Sequence, residues 1–214
     1  CTGFRIGIES GNAEMLKEVQ KPATLPSLRK ASNLLKKYPS LFIGGNIIVG
    51  FNEEKFHQML DSFWFSMEMD VDWTAYTICQ VIRGASAFEN FTEYFSERMT
   101  SQGKAVANYV PSRDSLKGEI DTAKDILSGM DIFNLPLDSQ PNKEQVKEIW
   151  FSFNMIGNFI NNKNLKPDKQ PKKFINWVSM AQISYPQNPY MCLFLALAYR
   201  FIGNEQATEE QYQR

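Results

Sequence analysis

The sequence has few residues of the kinds that hold metal ions or disulfide frameworks. It contains three cysteines and one histidine, and Cys1, Cys79 and Cys192 lie too far apart to form a CxxC or CxxxCxxC cluster. These residues therefore predict neither a metal site nor a disulfide framework, and they favour a reducing, cytoplasmic location. His57 falls on the polar side of its predicted helix together with Glu54, which indicates a surface residue rather than a ligand or a base.

The sequence also lacks a long apolar run and an excess of charge. Its longest apolar run covers residues 191–199, which is well short of the roughly 20 residues that a membrane-spanning helix needs. The formal net charge of −1 provides no sequence-wide positive field for nucleic acid or an acidic membrane. The first five residues have neither an initiator Met nor a secretory leader and are typical of mid-chain sequence. We expect a folded protein without a transmembrane segment and without a nucleic-acid partner.

Apolar periodicity predicts an α/β arrangement in the first part of the chain. Three β-favouring runs are predicted as strands, at residues 4–9, 41–51 and 73–81. Helices are predicted between these strands, at residues 13–19, 24–38 and 53–69. The middle strand is almost continuously apolar, which is typical of parallel sheets that are buried on both faces. Three parallel strands cannot close a barrel and leave a bare edge, so we expect further strands upstream of Cys1.

The second part of the chain is predicted to be helical. Residues 1–98 hold the predicted strands, residues 99–115 are a polar linker, and residues 116–214 form an all-α domain. Its helices are expected at residues 116–130, 143–162, 171–184, 188–202 and 205–214, separated by prolines and a glycine. The last two resemble one tetratricopeptide-type hairpin, but no second copy follows at a period near 34 residues.

Three pieces of the sequence, taken in order, resemble the radical S-adenosylmethionine (SAM) superfamily. The piece GFRIGIESGNAEMLKEVQKPAT is similar to the family's GIESG segment, which is followed by a Leu-Lys pair and then by Lys and Thr. The piece IIVGFNEE is similar to the family's IxVGFPGE stretch. The piece VIRGAS is similar to its PGT-type turn. With its helical tail, the chain most resembles the cobalamin-binding branch related to the anaerobic magnesium-protoporphyrin ester cyclase. The resemblance covers residues 1 to about 90. It implies an α/β fold, in which the C-terminal half of a radical SAM β/α partial barrel precedes the all-α domain.

The resemblance also implies an activity and its cofactors. The expected enzyme is a longer chain that uses a [4Fe–4S] cluster to cleave SAM and start hydrogen abstraction or methyl transfer on a small organic substrate. A reductant such as a flavodoxin or ferredoxin is implied, and the cobalamin-binding branch adds cobalamin. The cluster cysteines would lie upstream of this chain, so the chain alone is expected to be inactive. A non-catalytic helical scaffold, with the barrel half as a docking platform, remains the alternative.

Polar residues and glycines follow each predicted strand, at the end where a parallel β/α barrel carries its reactive face. By the resemblance, Glu9 and Ser10 face SAM, and Glu9 accepts hydrogen bonds from its ribose or ammonium group. The alternative for Glu9 is a cap on the following helix. Gly50 permits close approach of the adenine, lined by Ile48, or is simply a tight strand exit. Asn46 lies two residues before Ile48 and is predicted to share its face and to contact SAM or the substrate.

The loops after the second and third strands contain further candidates. Arg83 and Ser86 stand where the family has Pro and Thr, and Arg83 is predicted either to bind a carboxylate-bearing substrate or to be solvated. Glu54 keeps the family's acidic position and is predicted to be a helix cap or a packing anchor. Asn52 and Glu53 replace the family's usual Pro and Gly, so this loop departs from the family pattern.

Overall fold

The structure is a computed structural model that describes residues 2–80 and 134–214. Within them the chain is mixed α/β, with three parallel strands and several helices. The first part runs β1 (Gly3–Glu9), α1 (Ala13–Glu18), α2 (Leu25–Leu35), β2 (Phe42–Val49), α3 (Phe56–Met69) and β3 (Trp73–Ile78). The second part runs α4 (Lys143–Met155), a π-helix (Ile156–Ile160), α5 (Pro171–Gln182), α6 (Pro189–Phe201) and α7 (Glu205–Tyr212).

The predicted strands and helices within the described residues are confirmed, with ends that shift by a few residues. The cap at Thr24 is confirmed in detail, because its hydroxyl accepts from the Ser27 N–H while the Ser27 hydroxyl accepts from the Thr24 N–H. Such a reciprocal pair satisfies two backbone groups and fixes the start of α2. The predicted linker at 99–115, the predicted helix at 116–130, Arg83 and Ser86 lie outside the described residues.

The three strands form one open parallel sheet in the order β1-β2-β3. Gly7 is paired with Asn46, and Asn46 in turn with Ala75. The register between β1 and β2 then shifts, so that Glu9 is paired with Ile47. Before this shift, paired residues of neighbouring strands project to the same side, so the register assigns each of these side chains to one of two sheet faces.

One face of the sheet is covered by helices and holds the larger core. Ile8, Ile47, Val49 and Tyr76 are fully buried there against α1, α2, α3 and α4. The helices contribute Leu16, Leu28, Met59, Phe63, Phe65, Met69, Val146, Ile149, Trp150 and Phe153. Burying apolar side chains of this size stabilises the folded state by about 1.5–3 kcal/mol each, so this layer fixes the sheet to its helices.

The outer edge of β3 is covered by side chains of α4 and the segment that follows it. Trp150 and Asn154 donate to the Tyr76 carbonyl at 2.6 and 3.3 Å, and Asn162 donates to the Asp72 carbonyl at 3.0 Å. Four residues of an α-helix rise about 6 Å, and two residues of a strand rise about 6.6 Å. Side chains four residues apart in the helix can therefore reach backbone groups two residues apart in the strand. A spacing of four overshoots one α-helical turn by about 40°, and the wider π-helix between Asn154 and Asn162 offsets that drift.

A second core joins the remaining helices to the opposite face of the sheet. Trp73 of β3 packs there with Phe159, and Phe42 of β2 stacks on Trp177 of α5 with ring centroids 4.7 Å apart. Val178, Met191, Leu195 and Ala198 complete this core and are fully buried. The π-helix, α5 and α6 therefore form this core with the sheet and cover the amino-terminal half of this face. None of the helices in residues 2–80 and 134–214 is long and apolar enough to cross a membrane.

Candidate functional site

The carboxyl-terminal half of the second sheet face is only partly covered. Asn46, Ile48 and Thr77 lie on this face and are half-buried. The side chain of Glu9 lies over Gly7, because a Cβ added at Gly7 would stand 2.5 Å from the Glu9 Oε1 atom. These five residues form a patch at the strand ends, which is called the open face below. It brings together three of the predicted site residues, namely Glu9, Asn46 and Ile48.

Glu9 is held in an unusual backbone conformation at the end of β1. Its φ is 66°, in the left-handed region that costs an ordinary residue about 1–2 kcal/mol. The Ser10 N–H closes the turn by donating to the Ile8 carbonyl at 2.9 Å. Strained residues of this kind are concentrated at functional sites, where the surrounding structure holds them in place. The turn thus fixes the direction of a carboxylate over the open face.

Lys21 pairs with Glu9 across the open face. Its Nζ atom lies 3.1 Å from the Glu9 Oε1 atom, and the two side chains are 27% and 26% exposed. At this exposure the pair is worth little for stability, and both groups remain accessible to a ligand. Sequence reasoning gives Lys21 no role beyond its place in QKPAT. The contact depends on how the chain after α1 folds back, which no local pattern encodes.

Ser10 faces away from the open face and is completely buried. Its hydroxyl is 3.0 Å from the Ser62 hydroxyl of α3 and accepts from the Asn12 N–H at 3.1 Å. Ser10 therefore holds the turn after β1 against α3, and it reaches the open face only through Glu9. The helix-cap alternative for Glu9 is wrong, because the Asn12 side chain accepts from the first N–H groups of α1.

Gly11 explains why the GIESG piece ends in glycine. A Cβ at this position would lie 2.6 Å from the Asp61 carbonyl oxygen and 2.7 Å from the Ser62 Cα atom. Both atoms belong to the backbone of α3, which cannot move aside without disturbing the core. The Gly11 N–H also donates to the Ser62 hydroxyl at 2.9 Å. The turn that carries Glu9 is therefore pressed directly against α3.

The loop after β2 is tied together by a buried carboxyl group. Gly50 has a φ of 76°, a conformation that glycine adopts without steric cost. The Glu54 Oε2 atom accepts from the Gly50 N–H at 2.6 Å and from the Phe51 N–H at 3.1 Å. Glu54 thus closes the loop on itself, and the predicted role as a packing anchor is confirmed. Gly50 lies at the strand exit beside the open face.

Glu54 does not share a polar helix face with His57, so that prediction is wrong. Glu54 is completely buried because α3 begins only at Phe56, which leaves Glu54 in the loop. Burial raises the pKa of Glu54 to about 8, against the lowering effect of its bonds to Phe51 and Gly50, and the nearby Glu18 carboxylate raises it further. Its Oε1 atom has no hydrogen-bond partner within residues 2–80 and 134–214. Burial therefore favours the protonated form of this carboxyl.

His57 lies at the surface of α3, as predicted, and contacts the second part of the chain. Its Nδ1 atom is 3.0 Å from the Leu137 carbonyl oxygen and 3.4 Å from the Asp138 carboxylate. In the described part of the chain, no group of three His, Cys, Asp or Glu side chains is arranged to hold a metal ion. Arg83 and Ser86, the proposed substrate contacts, lie outside that part.

Comparison with known proteins does not add a family to these observations. The chain matches no protein-family model and no curated protein sequence. The three sequence pieces and the geometry of the open face are therefore the features that point to a function.

The open face combines three kinds of recognition in a small area. The Lys21 ammonium can bind an anionic group such as a carboxylate. The Glu9 carboxylate accepts hydrogen bonds from hydroxyl or ammonium groups, and the Asn46 amide can both donate and accept. Ile48 is half-buried and offers apolar surface for a flat ring, next to the buried strand exit at Gly50. This set of groups can contact a ligand that carries charged or polar groups together with an apolar part.

Proposed function

We propose that this chain is the carboxyl-terminal part of a radical SAM enzyme. Its three strands would belong to a partial β/α barrel, and its helices would follow and cover that barrel. The observation that carries the proposal is the Glu9–Lys21 ion pair, which lies over Gly7 on the open face beside Asn46. The three sequence pieces that resemble the family support it, because two of them form the strand ends that border this face.

In this proposal the open face binds and orients SAM. Glu9 accepts hydrogen bonds from the ribose hydroxyls or the ammonium group, and Lys21 binds the carboxylate of the methionine part. Asn46 adds a polar contact, while Ile48 and Gly50 border the adenine. Bound SAM supplies the radical chemistry, and the residues of this chain hold it in place and exclude water from it. Ser10 positions Glu9 through the turn and makes no direct contact.

The two edges of the sheet support the proposed position of the remaining strands. The outer edge of β3 is filled by the hydrogen bonds from α4 and the segment after it, so another strand cannot pair there. β1 is the other edge strand of the described sheet. Additional barrel strands would therefore pair with β1 and come from the part of a longer chain that precedes it.

The iron–sulfur cluster does not fit the described residues of this chain. Cys79 and Cys192 are the only cysteines in residues 2–80 and 134–214, and neither belongs to a group that could hold a metal ion. We place the cluster ligands in the preceding part of the longer chain and derive no step through them here. Cobalamin is proposed from the resemblance of the helical tail alone. A small organic substrate, a flavodoxin- or ferredoxin-type reductant and a cytoplasmic location complete the proposal.

The proposal is tested by SAM binding to the complete polypeptide that contains this chain. Isothermal titration calorimetry would compare the wild type with Glu9→Gln and Lys21→Gln, and iron analysis would check the cluster content. We expect each variant to bind SAM about tenfold more weakly, which corresponds to the loss of one charge-assisted hydrogen bond, with unchanged iron content. Glu14→Gln is the matched control, because Glu14 is exposed on α1. Unchanged affinity in both site variants would contradict the proposal and favour the non-catalytic scaffold.

A further inference from the structure

A concave surface lies at the amino-terminal end of the sheet, away from the open face. It is a groove of about 500 Å³ between the start of β1, the start of β2 and α5. This volume falls within the range of about 300–1,000 Å³ that is usual for small-molecule sites. Arg5 lies four residues before Glu9 on the same strand, about 13 Å from it at 3.3 Å per residue. The groove is thus separate from the proposed SAM contacts.

The walls of the groove are aromatic and apolar. Phe42 and Trp177 stack within it, with an interplanar angle of 25°. Phe4 and Met180 also line it and are 48% and 59% exposed. Large apolar side chains that surround a concave surface mark a place where an apolar group can be bound. An aromatic occupant is favoured, because edge-to-face or offset contact with these rings adds about 0.5–1.5 kcal/mol beyond the area that is buried.

The charge of the groove has one sign. Among the residues that the structure describes, Arg5 and Lys173 line it, whereas no aspartate or glutamate does. Lys173 is committed to Asp72, since its Nζ atom lies 3.2 Å from that carboxylate. Arg5 lies with its guanidinium carbon 5.1 Å from the centroid of the Trp177 ring. The planar guanidinium has five N–H donors, so it can bind a carboxylate in addition to the contacts that it already makes.

We propose that this groove binds a small organic carboxylate with a flat apolar body. The body would lie against Phe42, Trp177 and Met180, and the carboxylate would accept hydrogen bonds from Arg5, whose fork geometry matches a carboxylate. Arg5 lies over the Trp177 ring next to the apolar wall, so one groove can hold both the carboxylate and the apolar body of such a ligand. The proposal does not depend on the proposed function, because it involves neither SAM nor the open face.

The test is a calorimetric titration, at pH 7, of the complete polypeptide that contains this chain with 2-naphthoate. The neutral isostere 2-naphthamide is the comparison ligand, since it keeps the flat body and loses the charge. We expect saturable binding of 2-naphthoate and about tenfold weaker binding of the amide, as expected for the loss of a charge-assisted hydrogen bond. Arg5→Gln should weaken 2-naphthoate binding by a similar factor and leave binding of the amide nearly unchanged.

Two further variants distinguish a loss of ligand binding from a loss of folding. Met180→Glu places a like charge on an exposed wall position and should weaken 2-naphthoate binding more than amide binding. Arg200→Gln, at an exposed arginine of α6 outside the groove, should change neither. The proposal is overturned by any of three results: no saturable binding to the wild type, equal affinity for the two ligands, or equal weakening by Arg200→Gln. A dimer that covers the groove and prevents binding, seen by sedimentation, would overturn it as well.

Discussion

Asn158 exchanges two hydrogen bonds with the backbone of Thr74. Its Oδ1 atom accepts from the Thr74 N–H at 2.8 Å, and its Nδ2 atom donates to the Thr74 carbonyl at 2.6 Å. A side-chain amide thus occupies the place that a neighbouring strand would take at the edge of β3. Both groups are buried, with Asn158 1% exposed and Thr74 3% exposed. The edge of the sheet is therefore satisfied without another strand.

The first prediction concerns the stability that Asn158 provides. Asn158→Leu leaves the buried N–H and carbonyl of Thr74 without these partners, and each such loss costs about 1–3 kcal/mol. We expect the free energy of unfolding, measured by urea denaturation, to fall by about 2–5 kcal/mol. Asn33→Ala, at an exposed position of α2, should change it by less than about 0.5 kcal/mol. A loss as small as that of the control would show that the side chain does not replace a strand.

The second prediction concerns the pH dependence that Glu54 causes. Its pKa of about 8 in the folded state exceeds the ordinary value of 4.5, so folding tightens proton binding. The contribution of Glu54 to stability is therefore complete below about pH 4.5 and is lost as the pH rises through about 8. Between pH 5 and 9, the wild type should lose roughly 4 kcal/mol at most relative to Glu54→Gln, which cannot ionise.

Chemical denaturation at several pH values checks this prediction. Glu53→Gln is the matched control, because Glu53 is the exposed neighbour in the same loop and should retain the pH dependence of the wild type. The same slope in the wild type and in Glu54→Gln would show that the buried carboxyl does not titrate in this window.

The third prediction concerns the contact between Gly11 and α3. Gly11→Ala forces a methyl group into the backbone of α3, whose nearest atoms would lie 2.6–2.7 Å away. Overpacking of this kind costs about 1–3 kcal/mol and sometimes more. We expect a thermal unfolding midpoint lower than that of Gly203→Ala. A Cβ at Gly203 meets nothing within 4 Å, and only its φ of 73° opposes alanine, at a cost of about 1 kcal/mol. Equal midpoints would contradict the tight packing of the turn on α3.

The fourth prediction is that the Glu9–Lys21 ion pair can be displaced without destabilising the fold. A Cβ at Gly7 would stand 2.5 Å from the Glu9 Oε1 atom and 3.0 Å from the Lys21 Nζ atom, which are the ends of flexible side chains. Gly7→Ala should therefore displace the ion pair without lowering the thermal midpoint by more than a few degrees. In the complete polypeptide, SAM affinity should fall about threefold to tenfold, at a cost of roughly 1 kcal/mol.

The matched control for Gly7→Ala is Gly44→Ala. Gly44 lies on the same sheet face at the amino-terminal end, where a Cβ would meet the Arg5 Cγ atom at 3.2 Å. SAM affinity should be unchanged in this variant. An equal loss of affinity in both variants would indicate a general distortion of the sheet rather than an effect on the ion pair.

The sequence predicts the strands and helices well because their signals are local. The apolar run of β2, the cap at Thr24 and the prolines between the later helices each specify an element without reference to distant residues. Glu54 shows where local reasoning fails. Extending the helical pattern back to residue 53 places Glu54 on a polar helix face, whereas the helix starts at Phe56 and the loop turns the carboxyl inward.

The candidate site was only partly predictable, because its decisive contacts join distant residues. The position of Glu9 at a strand end and the shared face of Asn46 and Ile48 follow from the geometry of parallel strands, whereas the contact of Glu9 and Ile48 with SAM is implied only by the family resemblance. The Lys21 contact depends on the path of the chain after α1. The bond between Asn158 and Thr74 spans 84 residues, and its only sequence signal is the asparagine spacing of four at residues 154, 158 and 162.

The most direct test of the central claim is the coding sequence upstream of the codon for Cys1. The account predicts an open reading frame that continues upstream and encodes a CxxxCxxC motif. That motif should lie about 60–100 residues before Glu9, the length of two to three βα units. Such a motif would supply the cluster ligands, and the upstream segment that carries it would supply the strands that pair with β1. A reading frame that starts near Cys1 without such a motif would contradict the enzyme proposal and leave the scaffold in its place.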